Sequence, residues 1–197
     1  RVTMDAERME RAVRLFLEGI GERFPDDDLE ETPRRVAKAW IEDLVSGYGR
    51  DPAADLTWTP APTGAGPVVV RDVRFASVCV HHLLPFVGRA HVAYLPSRRL
   101  AGLSKIGRVV DALARRLQIQ ERLTAEIADV LTRVLEPRGA LVVLEAEHTC
   151  MTIRGVRKEG SRLVTLAASG LYEADPAAAR EVLLLVGCGA GPTGPGP

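Results

Sequence analysis

The sequence predicts an α+β protein: an antiparallel sheet with helices packed on one face, preceded by an N-terminal helical region. Three observations lead to this prediction. Apolar residues recur at helical spacing in the first fifty positions. A stretch rich in Pro, Ala, Gly and Thr follows. The remainder then reads as strand, strand, helix, helix, strand, strand. The whole chain of 197 residues suffices for one well-buried domain with a small helical appendage.

The helical region, residues 1–50, is predicted to contain two helices. The first has an apolar stripe made of Met9, Val13, Phe16, Leu17 and Ile20. The second begins at Thr32-Pro33, where a capping hydroxyl precedes a proline at the first helical position, and it ends at Ser46-Gly47. Residues 51–67 are predicted to form an irregular connector.

The sheet domain is predicted to span residues 68–186. Its strands are Val68–Phe75, Val87–Leu95, Ala140–Ala146 and Arg162–Ala168, and the last two form a hairpin pair. Its helices are one through Ile106 to Leu117 capped by Ser104, one from Thr124 to Leu135, and one from Asp175-Pro176 to Val186. Residues 187–197 form a Gly/Pro-rich tail predicted to be disordered, in which Cys188 is interpreted as a bystander.

The composition excludes several classes of function. Acidic and basic residues cancel at 26 each, so no global field favours nucleic acid or a membrane as partner. No segment has the length of a transmembrane helix, and the first ten residues are too polar for a secretory signal. Three cysteines do not make a disulfide framework, which favours the reducing cytoplasm. The open edges of an antiparallel sheet favour a homo-oligomer.

Two short segments hold two of the three cysteines and three of the four histidines. The first is Cys79-Val80-His81-His82 and the second is His148-Thr149-Cys150. Thiolate and imidazole are the ligands that zinc prefers, and three protein ligands leave a fourth position for water in a catalytic site. The spacing therefore predicts Cys79, His82 and Cys150 as zinc ligands, with His81 and His148 free for proton transfer. The alternative is that these are buried or simply hydrogen-bonded side chains.

A second group of residues has the features of an anion site. Gly102-Leu103-Ser104-Lys105 leads into the helix that carries Arg108, and a helix start attracts anions through its free N–H groups. Lys105 and Arg108 project from the same side of that helix. Arg154 follows Cys150 by four residues and could add a third cation near the metal. The set would suit a phosphate-bearing substrate, although solvated surface bases are an equally open interpretation.

Glu121 lies between the two predicted helices of the sheet domain, in the segment Gln118-Ile119-Gln120-Glu121-Arg122. An ionised carboxylate is an acceptor-only group with room for two N–H donors. Glu121 is therefore a candidate for holding a base edge, although a glutamate in such a link is often merely solvated.

Six blocks of residues carry a resemblance to a known family. They are Thr32-Pro33-x-Arg35-Val36-Ala37, Ser46-Gly47-Tyr48, Cys79-x-His81-His82-Leu83-Leu84-Pro85-Phe86, Gly102-Leu103-Ser104-Lys105, Ala114-Arg115-Arg116-Leu117-Gln118-x-Gln120-Glu121-Arg122-Leu123-Thr124 and His148-x-Cys150-Met151-x-x-Arg154-Gly155-Val156. In these blocks the chain resembles the GTP cyclohydrolase I family, and the similarity runs from about Ala6 to Val186.

The resemblance implies a zinc enzyme with the tunnelling fold that opens the imidazole ring of GTP at C8 and releases formate. The product would be 7,8-dihydroneopterin triphosphate, formed by a homodecamer with its sites at subunit interfaces. By this likeness Cys79, His82 and Cys150 hold Zn²⁺, His81 and His148 transfer protons, and Gln120 and Glu121 bind the guanine edge. The triphosphate would be held by Ser104, Lys105, Arg108 and Arg154.

The chain departs from the family pattern at three positions. Val80 replaces the acidic residue of Cys-Glu-His-His, and Leu163 and Leu166 replace two hydroxyl residues in what we expect to be a hairpin near the metal. These changes leave open a divergent paralogue that opens GTP but releases a pyrimidine or a deazapurine precursor. Two other classes are a non-catalytic zinc-stabilised assembly, which would not need His81, His148 or Glu121, and a zinc-free nitrile reductase with a cysteine nucleophile, which the two-cysteine, two-histidine arrangement disfavours.

Overall fold

The structure is a computed structural model that describes residues 3–22 and 29–187. Cys188 and the rest of the predicted tail beyond Gly187 lie outside the described residues. The α-helices are α1 (Ala6–Gly19), α2 (Thr32–Ala39), α3 (Pro52–Asp55), α4 (Leu103–Ala114), α5 (Gln120–Leu135), α6 (Thr149–Thr152), α7 (Leu171–Ala174) and α8 (Pro176–Val186). The strands are β1 (Trp58–Pro60), β2 (Val68–Cys79), β3 (Pro85–Leu95), β4 (Arg99–Ala101), β5 (Leu117–Gln118), β6 (Gly139–His148) and β7 (Leu163–Gly170).

The main sheet has five strands in the order β5-β2-β3-β6-β7. The pairs β2–β3, β3–β6 and β6–β7 are antiparallel, and only the short β5 runs parallel to its neighbour β2. The predicted α+β class and the predicted pairing of the last two strands are confirmed. Strands β5 and β7 form the two edges of this sheet.

Alternation along the central strands divides their side chains between two faces. On one face, Phe86, Ala90, Val92 and Tyr94 of β3 join the main core with the inward residues of α4 and α5. These two helices cover one face of the sheet, as predicted. On the opposite face, Ala93 and neighbouring residues pack against Tyr172, Val182 and Val186 of α7 and α8. The remainder of that face leaves Val87, Val164 and Leu166 exposed.

The boundaries around α4 differ from the prediction. Gly102 is the N-cap of α4 and the helix starts at Leu103, so Ser104 does not cap it. The helix ends at Ala114, because Leu117–Gln118 pairs with Val78–Cys79 as β5. Helix α5 accordingly begins at Gln120, four residues before the predicted start. A strand of two residues is too short to show a period in the sequence.

The predicted connector contains regular structure. Asp51 caps α3 by accepting from the N–H of Ala53, and β1 pairs with β4 in a separate two-stranded sheet. Helix α3 has four residues and β1 has three, so neither is long enough to repeat an apolar pattern in the sequence. The division into residues 1–50, 51–67, 68–186 and 187–197 stays a prediction.

The N-terminal region follows the prediction more closely. Asp5 caps α1, and proline lies in the first turn of the second helix. The prediction that Thr32 caps this helix is wrong, because Thr32 is its first residue and Glu31 occupies the N-cap position. This helix continues beyond α2 as a π-helical turn, Trp40–Leu44, and a 3₁₀ turn, Ser46–Gly49. Across the described part of the chain, no helix has both the length and the apolar character needed to cross a lipid bilayer.

Candidate functional site

The end of β2 and the end of β6 bring the two Cys/His segments together. Strand β2 ends at Cys79, and a turn closed by the N–H of Cys79 donating to Leu84 O (2.9 Å) leads back into β3. The register between β3 and β6 sets Phe86 opposite His148, so Cys150 of α6 follows close to this turn. The hydroxyl of Thr149 donates to Pro85 O at 2.6 Å and ties the two segments together.

Cys79, His82 and Cys150 form a group whose ligand atoms lie within 4.8 Å of one another. The Cys79 Sγ is 3.8 Å from Nδ1 of His82 and 4.0 Å from Nδ1 of His81. Both cysteines are free thiols. Two sulfurs and one imidazole nitrogen are a donor set that suits zinc and that leaves one tetrahedral position for another ligand. The group could therefore hold a metal ion.

Burial and the nearby Cys79 sulfur raise the pKa of the Cys150 thiol, and the positive charge of Arg154 opposes this rise. Two neighbouring thiols disfavour each other's ionisation in the absence of a cation, whereas a bound metal ion deprotonates a coordinating thiol. The expectation that Arg154 adds positive charge near the metal ligands stays a prediction.

His148 lies beside the cysteine–histidine group and is held on two sides. Its ring stacks on Phe86 with 4.4 Å between the centroids and 6° between the planes. Its Nε2 is 2.9 Å from Oε1 of Gln120. Burial lowers the pKa of His148, an effect that the carboxylate of Glu121 opposes, so the ring is neutral near pH 7.

Gln120 and Glu121 form the first turn of α5 rather than a helix–helix link. The Gln120 side chain is 1% exposed and points into the interior, while Glu121 is exposed. Two neighbours in the same motif have a structural role: Arg122 donates from Nε to Gln118 Oε1 (2.8 Å) and from Nη2 to Leu117 O (2.6 Å). Glu121 is thus the member of this motif that is free to meet a ligand from solvent.

Thr124 and Thr165 support this part of the site and were not singled out from the sequence. Their hydroxyl oxygens are 2.6 Å apart, and Thr124 donates to Gln120 O at 2.7 Å. The period of two along β7 places Thr165 toward α5 and Leu166 on the opposite face, where it is 53% exposed. The expectation that both leucine replacements lie near the metal is therefore wrong for Leu166. Leu163 contributes its backbone carbonyl, which a residue of any type at this position would also provide.

The predicted anion site lies far from the cysteine–histidine group within one chain. Helix α4 begins beside Tyr94, whose hydroxyl accepts from the N–H of Ala101 at 2.9 Å. Tyr94 is eight residues along β3 from Phe86, or roughly 27 Å at the usual rise of an antiparallel strand. Within one subunit, the start of α4 therefore lies near the opposite end of β3 from His148. Arg108 lies one helical turn further along α4, and its side chain is exposed.

Comparisons with known proteins give a consistent result. A family model described as GTP cyclohydrolase I matches residues 9–187. GTP cyclohydrolase 1 of Streptococcus pyogenes serotype M18 is 46% identical over 186 residues, which cover 94% of this chain and 95% of that protein. GTP cyclohydrolase 1 of Streptococcus agalactiae serotype Ia is 46% identical over 181 residues, covering 91% and 96%. Among solved structures, the apo crystal structure of the archaeosine synthase QueF-Like aligns with a TM-score of 0.47 and 18% identity over 55% of this chain and 97% of that chain.

Proposed function

The chain belongs to the GTP cyclohydrolase I family, and we propose that it is a zinc-dependent enzyme that opens the imidazole ring of GTP at C8. The proposed products are formate and 7,8-dihydroneopterin triphosphate. Membership of this family makes the chain an enzyme of the hydrolase class that acts on GTP. The observation that carries the proposal is the group of Cys79, His82 and Cys150 beside the half-buried His148.

We assign Cys79, His82 and Cys150 to the metal, because their donor atoms converge and match the preference of Zn²⁺. A zinc ion with three protein ligands lowers the pKa of water to roughly 7 and thus supplies a hydroxide nucleophile at neutral pH. The residues around it would then bind the substrate and move protons. His148, neutral and held by Phe86 and Gln120, suits proton transfer to the ring that opens. His81, exposed beside His82, is assigned the second proton transfer, toward the ribose.

Glu121 is assigned the guanine edge, since its exposed carboxylate lies close enough to His148 to affect the pKa of that ring. Two N–H groups of guanine match the two oxygens of one carboxylate. Gln120 supports this part of the site from the interior. Ser104, Lys105, Arg108 and Arg154 are assigned to the triphosphate, because cations and a helix start favour a polyanion.

We propose that the site is completed by a second copy of the chain in a homo-oligomer, with the decamer of the family as the expected assembly. The support is the position of α4, which begins beside Tyr94, whereas His148 stacks on Phe86 at the other end of β3. Tyr94 and Phe86 are roughly 27 Å apart along an extended strand. This distance exceeds that between C8 and the γ-phosphate of one GTP molecule. The open edges at β5 and β7 offer places where copies could meet.

No nucleic-acid or membrane partner is proposed, because acidic and basic residues are equal in number. The cytoplasm is the proposed location, since two free thiols at a metal site suit a reducing compartment.

The divergent paralogue remains a second candidate because of Val80. This side chain is 38% exposed directly after the proposed ligand Cys79, where it can neither orient a ligand nor relay a proton as a carboxylate would. Such a change would affect the rearrangement and ring closure that follow the opening of the imidazole ring, leaving metal and GTP binding intact.

One incubation tests both candidates. Zinc-loaded protein is mixed with GTP, and formate and oxidised pterin fluorescence are measured in the same sample. Formate together with pterin is the expected result, and formate without pterin would favour the paralogue. Absence of both products would contradict GTP as the substrate.

Two cysteine variants serve as a matched pair in this incubation. Cys150→Ser should lose zinc and both products together, because a proposed ligand is removed. Cys188→Ser, which changes the third cysteine of the chain, should keep zinc and activity. Full activity in a metal-free Cys150→Ser protein would exclude the zinc mechanism.

A further inference from the structure

Gln120 is buried behind His148, and its carboxamide contacts four groups. Its Oε1 is 2.9 Å from Nε2 of His148. Its Nε2 lies 3.1 Å from Leu144 O, 2.9 Å from Leu163 O and 3.1 Å from Thr165 Oγ1. With 1% exposure, the side chain has no access to solvent as an alternative partner.

The two backbone carbonyls fix which end of the carboxamide faces His148. A carbonyl oxygen only accepts hydrogen bonds, so the NH₂ group of Gln120 must face Leu144 and Leu163. The flipped amide would place its own oxygen against both carbonyl oxygens and leave the buried NH₂ without them. Leaving a buried polar group without a hydrogen-bond partner destabilises the fold. The oxygen of Gln120 therefore faces the imidazole.

This orientation determines where His148 carries its hydrogen. Oε1 of Gln120 can only accept, so Nε2 of His148 must donate. Nε2 carries a hydrogen in the protonated ring and in one of the two neutral tautomers, and the other neutral tautomer is excluded. Within residues 3–22 and 29–187, no group forms a hydrogen bond with the remaining nitrogen, Nδ1.

We propose that Gln120 is a positioning residue that holds His148 with its hydrogen on Nε2, so that Nδ1 is the one ring atom through which His148 exchanges a proton. The exchange with substrate rests on the proposed function, whereas the position of the hydrogen does not. Gln120 thus acts on the reaction through His148.

Two further contacts hold the side chains of Gln120 and His148 in place. Rotation of the His148 ring out of its plane is opposed by the parallel ring of Phe86 at 4.4 Å. Gln120 is held at the start of α5 because its carbonyl accepts from Thr124, whose hydroxyl also meets Thr165 of β7. The helix start, the end of β6 and the edge strand β7 therefore all meet at this carboxamide.

The direct test is ¹⁵N magic-angle-spinning NMR of the zinc-loaded, ¹⁵N-histidine-labelled wild-type protein. The His148 signals are assigned by their loss in a His148→Gln sample. We expect the hydrogen on Nε2 and an Nδ1 without one in the neutral ring. A neutral His148 with its hydrogen on Nδ1 would overturn the proposal without any variant of Gln120.

The second test compares two buried glutamines. Gln120→Met removes the acceptor for His148 at nearly constant volume, and we expect a loss of kcat of about 10- to 100-fold with little change in KM or zinc content. We also expect a shift of His148 toward a mixture of tautomers. The control is Gln118→Met, which removes another 1%-exposed glutamine whose Nε2 donates to Leu113 O and Glu126 and which has no bond to His148. It should destabilise the fold without changing the His148 spectrum.

An unchanged kcat in folded, zinc-loaded Gln120→Met protein would overturn the proposal. An equal change of the His148 spectrum in both variants would also overturn it, since the effect would then be general loosening. A wild-type protein that gives no formate from GTP would reject the proposed function, whereas its His148 spectrum would still test the role of Gln120.

Discussion

Glu121 is the side chain to which the proposed function assigns the recognition of guanine. It is exposed on the first turn of α5, and its charge reaches His148. Its neighbour Gln120 is buried, and the guanidinium of the exposed Arg122 is hydrogen-bonded to Gln118 and Leu117, so neither side chain can take over its role.

Replacing Glu121 by alanine should weaken GTP binding roughly 10- to 100-fold, because hydrogen bonds to a charged group contribute about 1.5–3 kcal/mol. Zinc content should not change. The measurement is isothermal titration of the metal-free protein, in which GTP is not expected to be consumed. ATP, which shares the triphosphate but lacks the guanine edge, is the control ligand. Equal GTP affinity in wild type and variant would reject the guanine assignment.

His91 is the one histidine in the described residues that lies outside the candidate site. Its Nδ1 accepts from the backbone N–H of Asp72 at 3.3 Å, at an irregularity of β2 where Asp72 has a positive φ of 57°. Burial lowers the pKa of His91, and the nearby charges of Asp72, Arg71, Glu145 and Arg89 alter it less.

The folded state should lose stability as the pH falls below the ordinary histidine value of 6.5. Below this pH, His91 binds a proton more readily in the unfolded chain than in the folded one. The free energy of unfolding therefore decreases as the pH falls. His91→Asn keeps an acceptor for Asp72 but does not titrate. Its denaturation midpoint should therefore drop less than that of wild type between about pH 7.5 and about pH 5. Equal drops would show that His91 does not contribute.

The cysteine–histidine group could be predicted from single residues, whereas the buried position of Gln120 behind His148 could not. Cysteines and histidines concentrated in two short segments already indicate a shared ion, because few other functions need that set. The interior position of Gln120 depends on β5, whose two residues end α4 early and set the start of α5. A pattern that needs several residues to show its period cannot detect this element.

Among the elements, the 3₁₀ turn Ser46–Gly49 joins the helical region to the sheet domain by a close backbone approach. The N–H of Gly47 donates to Arg115 O at 2.9 Å, and the guanidinium of Arg116 donates to Gly47 O at 3.2 Å. A Cβ on Gly47 would overlap the carbonyl oxygen of Ala112 and lie 2.7 Å from that of Arg115. The Ser-Gly-Tyr block of the sequence therefore has a packing role.

Gly47→Ala should destabilise the protein by about 1–3 kcal/mol, the usual cost of forcing extra volume into a packed contact. Gly49→Ala is the matched control in the same turn, because a Cβ there meets nothing within 4 Å. Denaturant unfolding of both variants gives the comparison. Similar midpoints would contradict the close approach of this turn to the end of α4.

For the subunit as a whole, the most consequential distance is the one between the start of α4 and the end of β6. Spacing along the chain indicated both sets of site residues but not that the fold holds them apart. The sheet sets this separation, because Tyr94 and Phe86 lie near opposite ends of the same strand. This separation is the reason for the proposal that two copies of the chain share one site.

A mixing experiment can test whether one site uses residues from two copies of the chain. Lys105→Ala chains and Cys150→Ser chains should each be nearly inactive alone. Co-expressed chains in one assembly should recover about one quarter of wild-type activity, because a site that draws on two copies receives both intact residues by chance one time in four. Light scattering should report an assembly of many 21.3 kDa subunits in every sample.

If each site were complete in one chain, no mixed assembly would contain an intact site. Absence of recovery in an assembly of unchanged mass would therefore reject the shared site. Lys105→Ala mixed with Lys105→Ala is the matched control for the mixing procedure itself.

A site shared between copies of the chain, as proposed, would also have a consequence for inheritance. A chain that has lost both Cys150 and Lys105 would spoil one site with its own metal ligands and a neighbouring site with its α4. In a cell that makes intact and doubly defective chains equally, fewer sites would survive than intact chains. Such an allele would behave as dominant. One defective allele would lower the total activity more than it would in an enzyme whose sites each lie within one chain.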